Sequence, residues 1–378
     1  MEIGRSALES LDVNEILDDM TYPNEIIQAD AEAVCSELAE TLKSLAGTTL
    51  LVTGGSGFLC SYLLDTVAYL NDHIVSDPCR VISLDNLRSG VADRVSHLAR
   101  RPDFQFLNHD VSKPLELKER VDWIIHGAGI ASPTFYRRFP LETIDVNVSG
   151  TRHMLDLARQ SNARSLLYMS TSEIYGDPDA AHIPTPEDYR GNVSCTGPRA
   201  CYDESKRLAE TLCATYYSLY RTPVKVIRPF NVYGPGQRLD DKRIIPDLLS
   251  AALERRPIEL FSDGRATRAF CYVTDIVRAI WYILLSDADG EAFNVGNDER
   301  EITIGDLAEV LREVAGPPGL EILRKVSQDK HYLTDNPQRR CPDLSKLRSR
   351  FGWVPKVSLK EGLKRTLLSY QSAVQTVG

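Results

Sequence analysis

A doubly wound α/β fold, a parallel sheet between two layers of helices, is predicted by two features of this 378-residue chain. First, short apolar runs at 49–53, 81–84, 104–107, 123–126, 165–170 and 224–227 alternate with stretches of helical spacing. Strands that alternate with helices pair in parallel, because each crossover returns the chain to the same end of the sheet. Second, Thr53-Gly54-Gly55-Ser56-Gly57-Phe58-Leu59-Cys60 links the first run to a helix predicted over 58–70. Glycines there permit a tight turn and let backbone amides approach a pyrophosphate at the positive helix end. The sheet is therefore of Rossmann type, and Gly54, Gly57, Phe58 and Leu59 are predicted to bind a dinucleotide.

The second run ends at Asp85-Asn86. A carboxylate at that place can accept both ribose hydroxyls and repels a 2′-phosphate, so NAD is predicted over NADP. A generic strand-end aspartate is the blander reading. Asp110-Val111, after the third run, is a predicted adenine contact. The glycine pattern departs at Cys60, where glycine ordinarily lets helix and strand approach closely. Cysteine is small, so a modest distortion with binding retained is expected.

Charge divides the chain. Residues 1–46 carry eleven acids and two bases, a net of −9 that equals the charge of the whole chain. The remaining body is formally neutral and does not repel a nucleotide-sugar diphosphate. Ile26, Ile27, Ala31, Val34, Leu38 and Leu42 recur at helical spacing, predicting an acidic helical extension packed on the body or on a partner subunit. The cofactor-binding domain is predicted over 47–235, with 268–297 returning to it, and 236–378 forms mainly a smaller α/β substrate-binding lobe.

Composition removes several classes of function. The 43% hydrophobic content supports a full core. Eight cysteines without a CxxC read as reduced packing residues in a cytoplasmic protein. Seven histidines without HxxxH or HExxH predict no metal site. No basic stripe points to nucleic acid. No apolar run approaches the ~18 residues of a membrane helix, and no basic segment followed by an apolar one suggests a secretory leader.

The chemistry is concentrated in Cys201-Tyr202-Asp203-Glu204-Ser205-Lys206. Tyrosine and lysine four residues apart share a helix face. A free phenol titrates near ~10, and a nearby cation is expected to lower it by about 1–3 units, creating a general base for a sugar hydroxyl. Such spacing alone fits an ordinary amphipathic helix; its company decides. Thr171-Ser172-Glu173-Ile174-Tyr175-Gly176 follows the fifth run, at the sheet edge where ligands bind in open α/β folds. Thr171 can hydrogen-bond the hydroxyl that Tyr202 deprotonates. Glu173 either begins a helix or acts on the sugar ring or orders water.

From about 48 to 372 the chain resembles the extended short-chain dehydrogenase/reductases of the NAD-dependent epimerase/dehydratase type. Within them it is most similar to UDP-glucuronate decarboxylases. The resemblance rests on Thr-Ser-Glu-x-Tyr-Gly-Asp-Pro at 171–178, Gly-Pro-Arg-Ala-Cys-Tyr-Asp-Glu at 197–204, Thr-Arg-Ala-Phe at 267–270 and Arg-x-Pro-Asp at 340–343. It implies that Tyr202 and Lys206 are the catalytic pair, that Lys206 also holds the nicotinamide ribose, and that Thr171, Ser172 and Glu173 contact the sugar. It implies Arg340 near the sugar C5, Arg243 and Arg268 on the diphosphate and ribose side, and Asn231 as a substrate-binding residue. A UDP-sugar substrate, an NAD cofactor and a homodimer through two long helices, one carrying Tyr202, are further implications. The stretch 232–238 reads more like an epimerase, and Cys341 stands where lysine is common.

Three reactions share oxidation at C4 by these residues. A C6 carboxylate β to the ketone leaves as CO2; rotation of the ketone gives C4-epimerisation; protonation of a C6 hydroxyl gives 4,6-dehydration. Ser172-Glu173 in place of Asp-Glu counts against dehydration. A nucleotide-binding regulator of the same fold is the reading from another class, and it predicts a broken Tyr202 or Lys206.

Overall fold

The apolar runs assemble into one seven-stranded sheet in a computed structural model that describes residues 24–376 apart from 318, 326–333, 335 and 336. Its strands are β1 (Thr49–Thr53), β2 (Arg80–Asp85), β3 (Phe104–Asn108), β4 (Trp123–His126), β5 (Ser165–Met169), β6 (Val224–Pro229) and β7 (Ala292–Val295). They lie in the order β7-β6-β5-β4-β1-β2-β3, all parallel. Successive side chains point to opposite faces. Leu50 and Val52 of β1 enter one core while Leu51 enters the other.

On the first face lie α1 (Glu25–Leu42), α2 (Phe58–His73) and α5 (Val273–Leu284). On the second lie α3 (Thr151–Gln160) and α4 (Ala200–Tyr220). The described part of the acidic extension is α1, and its apolar spacing becomes a buried stripe of Ile27, Val34, Leu38 and Leu42. The predicted extension over 1–23 lies outside the described residues. Asn24 caps α1 by accepting from the Ile26 amide at 2.9 Å and donates to Ser369 O at 2.6 Å, tying its start to α6 (Leu359–Thr376). Buried Asp30 accepts from Tyr272 Oη at 2.7 Å, Tyr62 Oη at 3.3 Å and Arg365 at 3.2 Å, and burial pushes its carboxyl up to about 6.

β7 is too short and too polar to stand out in sequence. Its Asn294 accepts from Tyr175 Oη at 2.8 Å and donates to Thr185 O at 2.9 Å, bonds that only the folded chain supplies. In the C-terminal part, a three-stranded sheet joins Glu301–Thr303, Thr267–Ala269 and Arg339–Arg340. Its parallel register sets Arg340 opposite Arg268. Among the described residues, no helix is long and apolar enough to cross a membrane.

Leu38 is 1% exposed in this packing. Replacing it with alanine is expected to cost about 2–5 kcal/mol in urea unfolding. A loss below about 1 kcal/mol would place α1 outside the cooperative core.

Candidate active site

The sheet order reverses beside β1, so the turn after it opens at the topological switch point. Gly54 there has φ +73°, and a Cβ on it would sit 2.9 Å from the Ala128 backbone. Gly57 stands at the head of α2 with its amide bonded to Gly54 O at 2.9 Å, and Phe58 and Leu59 form the first turn. At the end of β2, Asp85 Oδ2 accepts from the Ser56 amide at 3.0 Å and Oδ1 from the Leu87 amide at 2.8 Å. Burial raises its carboxyl despite these donors. The cleft is lined by Gly54, Asp85, Asn86, His109, Val111 and Val146. A side-chain-free cradle, a strand-end carboxylate and an apolar wall fit an adenine dinucleotide. Asp110 instead turns to its own loop, accepting from the Ser112 amide at 2.9 Å.

Cys60 packs between the end of β1 and β5. Its Sγ lies 3.6 Å from Thr53 O and 3.7 Å from Met169 Sδ. A Cβ on Gly127 would come within 2.3 Å of that sulfur and 2.7 Å of the Met169 sulfur. The volume added at 60 is thus accommodated by the side chain missing at 127.

The predicted catalytic groups come from the end of β5 and the first turns of α4. Thr171 caps the short 3-10 turn Ser172–Tyr175, accepting from the Glu173 amide at 3.2 Å. Tyr202 lies in the first turn of α4, 5% exposed, beside the Thr171 side chain, which helps lower its phenol against burial. Its ring stacks on Tyr136 at 5.2 Å between centroids with 9° between planes. One turn on, Lys206 is 3% exposed and donates to Met169 O at 2.8 Å. Burial pushes the Tyr202 phenol up to about 12 and pulls the Lys206 ammonium down to about 8. The expected lowering of the phenol by lysine is therefore reversed. Both groups are desolvated, and the lysine spends a hydrogen bond on the end of β5.

Glu173 sits in a nest of cations. Its Oε2 accepts from Arg340 Nη2 at 2.6 Å and from Arg199 Nη2, while Oε1 accepts from Arg340 Nη1. Burial opposes the charge, but Arg199 and Arg340 prevail and hold the carboxyl well below its ordinary range. Buried Arg268 donates to Thr267 O at 2.8 Å; burial and Arg340 pull it down to about 10. Buried Asp203 places Oδ2 3.5 Å from Arg199 Nε and leaves Oδ1 without a hydrogen-bond partner among the described residues. Burial and the Glu173 charge raise its carboxyl.

Thr171, Glu173, Tyr202, Arg268 and Arg340 thus converge, with buried Ser172 between the first two. Arg243 starts the helix Ile244–Leu253, donates to Ala131 O at 2.9 Å and helps lower the Tyr202 phenol against burial. Asn231, at φ +38°, donates to Ala269 O at 3.0 Å and so braces the small sheet. Sequence reading passed over Arg199 and Asp203, although the i, i+4 spacing that pairs them lies within a motif already singled out. It also missed Asn147, buried in the π-helical segment Val146–Gly150. Asn147 Nδ2 donates to Ser205 Oγ at 2.8 Å, and its Oδ1 has no hydrogen-bond partner. A Cβ on Gly129 would lie 3.1 Å from that oxygen and 3.4 Å from Lys206 Nζ, so amide and ammonium flank one glycine.

Residues 50–296 match the family model described as the NAD dependent epimerase/dehydratase family. The chain belongs to this family. Family membership makes it an enzyme. Its relatives include UDP-glucuronic acid decarboxylase 1 of Arabidopsis thaliana, 39% identical over 325 residues, which cover 86% of this chain and 70% of that protein. UDP-glucuronic acid decarboxylase 1 of Xenopus tropicalis is 37% identical over 326 residues, covering 86% and 73%. Among solved structures, a dTDP-glucose 4,6-dehydratase from Streptomyces venezuelae with NAD bound aligns with TM-score 0.75 at 25% identity, covering 87% of this chain and 98% of that one. The UDP-glucose 4-epimerase of Thermotoga maritima aligns with TM-score 0.72 at 25% identity, covering 86% and 100%.

The contact between Cys60 and Gly127 offers a test within the family fold. Gly127→Ala is expected to lower Tm and weaken NAD binding about tenfold or more, equivalent to about 1.4 kcal/mol. Adding Cys60→Ala removes the clashing sulfur and should recover part of both. Equal losses in the single and double variants, by thermal melts and NAD titration, would refute the volume exchange.

Proposed function

We propose that this enzyme is an NAD-dependent UDP-glucuronate decarboxylase that forms UDP-xylose or its 4-keto form. The observation that carries this reading is the set of buried Arg268 and Arg340 with partly buried Arg199 around Glu173, beside Tyr202. Guanidinium groups taken out of water are costly unless anions meet them, and with Arg268 assigned to the diphosphate side an uncharged hexose gives no reason to add Arg340 to Arg199 at Glu173. A sugar carboxylate does. The names of the two relatives favour the same substrate.

Bound in the cleft at the end of β1, NAD would supply the acceptor and donor of hydride at the sugar C4. Tyr202 takes the C4 hydroxyl proton, and Thr171 holds that oxygen. Lys206, pulled down to about 8 yet still mostly an ammonium at neutrality, steadies the phenolate. In the C4 ketone the C6 carboxylate is a β-keto acid. The C5–C6 bond breaks, CO2 leaves, and the electron pair forms an enolate that Arg340 can stabilise before C5 takes a proton from water. Asn231, Arg243, Arg268 and Ser172 are proposed to hold the nucleotide sugar, and Asp85 to favour NAD over NADP.

Exposed Leu141, Ile144, Leu208 and Leu219, on the helix Pro140–Asp145 and on α4, support a homodimer through α4. All eight cysteines are free, which suits a reducing, cytoplasmic setting.

Mass spectrometry after incubation with UDP-glucuronate and NAD should find the product lighter by one CO2. An unchanged mass with a new chromatographic peak would favour the C4-epimerase reading, and no product would remove UDP-glucuronate as substrate. Tyr202→Phe should lower kcat by about 10²–10⁴-fold with NAD still bound; near-full turnover would contradict its role as base.

A further inference from the structure

The charge nest contains more than a substrate carboxylate requires, and the excess lies in Arg199. We propose that Arg199 is a positioning residue that selects carboxylate-bearing sugars by keeping Glu173 paired while Arg340 turns to the substrate. This rests on the decarboxylase reading and goes beyond it, because Arg199 need not touch the sugar.

The atoms divide the work. Glu173 Oε2 accepts from both guanidiniums, whereas Oε1 accepts from Arg340. If Arg340 leaves, Oε2 keeps Arg199. Without Arg199, the same departure would leave a partly buried carboxylate with no hydrogen-bonded guanidinium, which is unfavourable.

Position makes Arg340 the partner free to exchange. Arg199 is fixed at the head of α4, its guanidinium 6.0 Å from the Tyr136 ring that stacks on Tyr202. Arg340 stands opposite Arg268 in register, so like charges face one another across the small sheet. That repulsion favours any anion able to draw Arg340 aside. Asp203 competes weakly, since its Oδ2 is 3.5 Å from Arg199 Nε and burial with the Glu173 charge favours its protonated form. The charge of Arg199 therefore remains available to Glu173.

The test compares two nucleotide sugars on the NAD-saturated enzyme. KM for UDP-glucuronate and the competitive Ki of UDP-xylose, which lacks the carboxylate, are measured for wild type, Arg199→Gln and Arg199→Lys. With Arg340 left as the principal partner of Glu173, Arg199→Gln should raise KM about tenfold or more and leave Ki within about twofold. Arg199→Lys, which keeps a charge, should recover part of the KM. KM and Ki rising together, or neither changing, would overturn the proposal. Should Arg199→Gln fail to fold by circular dichroism, Arg199→Lys decides alone, with KM raised severalfold at constant Ki as the supporting result. Absence of CO2 release by wild type would refute the decarboxylase reading itself, an outcome distinct from a variant ratio that stays flat.

Discussion

The carboxylate of Glu173 is the constraint on which the site depends. Buried alone, it would protonate; the guanidiniums of Arg199 and Arg340 keep it an anion. Its partners come from remote parts of the chain, the head of α4 and the last strand of the C-terminal sheet. The cluster therefore joins the main sheet to the C-terminal part at the point where Tyr202 stands. Its cost explains the company it keeps. Three cations, two buried and one partly buried, facing two carboxylates, one of them raised toward neutrality, form a site biased toward accepting another negative charge.

The cofactor side follows a different physical rule, that of volume. Gly54 has left-handed backbone and lies against Ala128, and Gly127 leaves room for the Cys60 sulfur. Two loops from neighbouring strands therefore close to backbone contact above the sheet. Lys206 and Asn147 end beside Gly129, on the third such bare position. Between this side and the charged side, Tyr202 and Lys206 are both held toward their neutral forms by burial. A phenol pushed up to about 12 is almost wholly protonated near neutrality, so little phenolate is present until its surroundings change. Spacing on a helix alone therefore does not account for its activation.

The sheet was legible because its strands carry apolar runs with glycine or carboxylate at their ends. β1, β4 and the start of α2 fall where their residues predict, and the spacing of α1 names its buried stripe. β7 was less so, since Asn294 belongs there by virtue of partners far away in sequence. Tyr202, Lys206 and Glu173 announced themselves by motif. Arg199 and Asp203 did not, because an arginine before a helix and an aspartate inside it ordinarily read as a solvated pair; only the fold buries Asp203 and partly buries Arg199. Cys60 looked like a flaw in the glycine pattern because Gly127, which offsets it, lies on another strand end. The effect of Lys206 on Tyr202 was misread for a related reason: sequence spacing reveals proximity but not desolvation.

The most direct test of the account is proton NMR of the product formed from UDP-glucuronate and NAD in D2O. Decarboxylation through a C4 ketone predicts a UDP-pentose with one deuterium at C5 and none at C4, because the C5 enolate takes its proton from solvent and the C4 hydrogen returns as hydride. A pentose without deuterium at C5, or a hexose in its place, would contradict it.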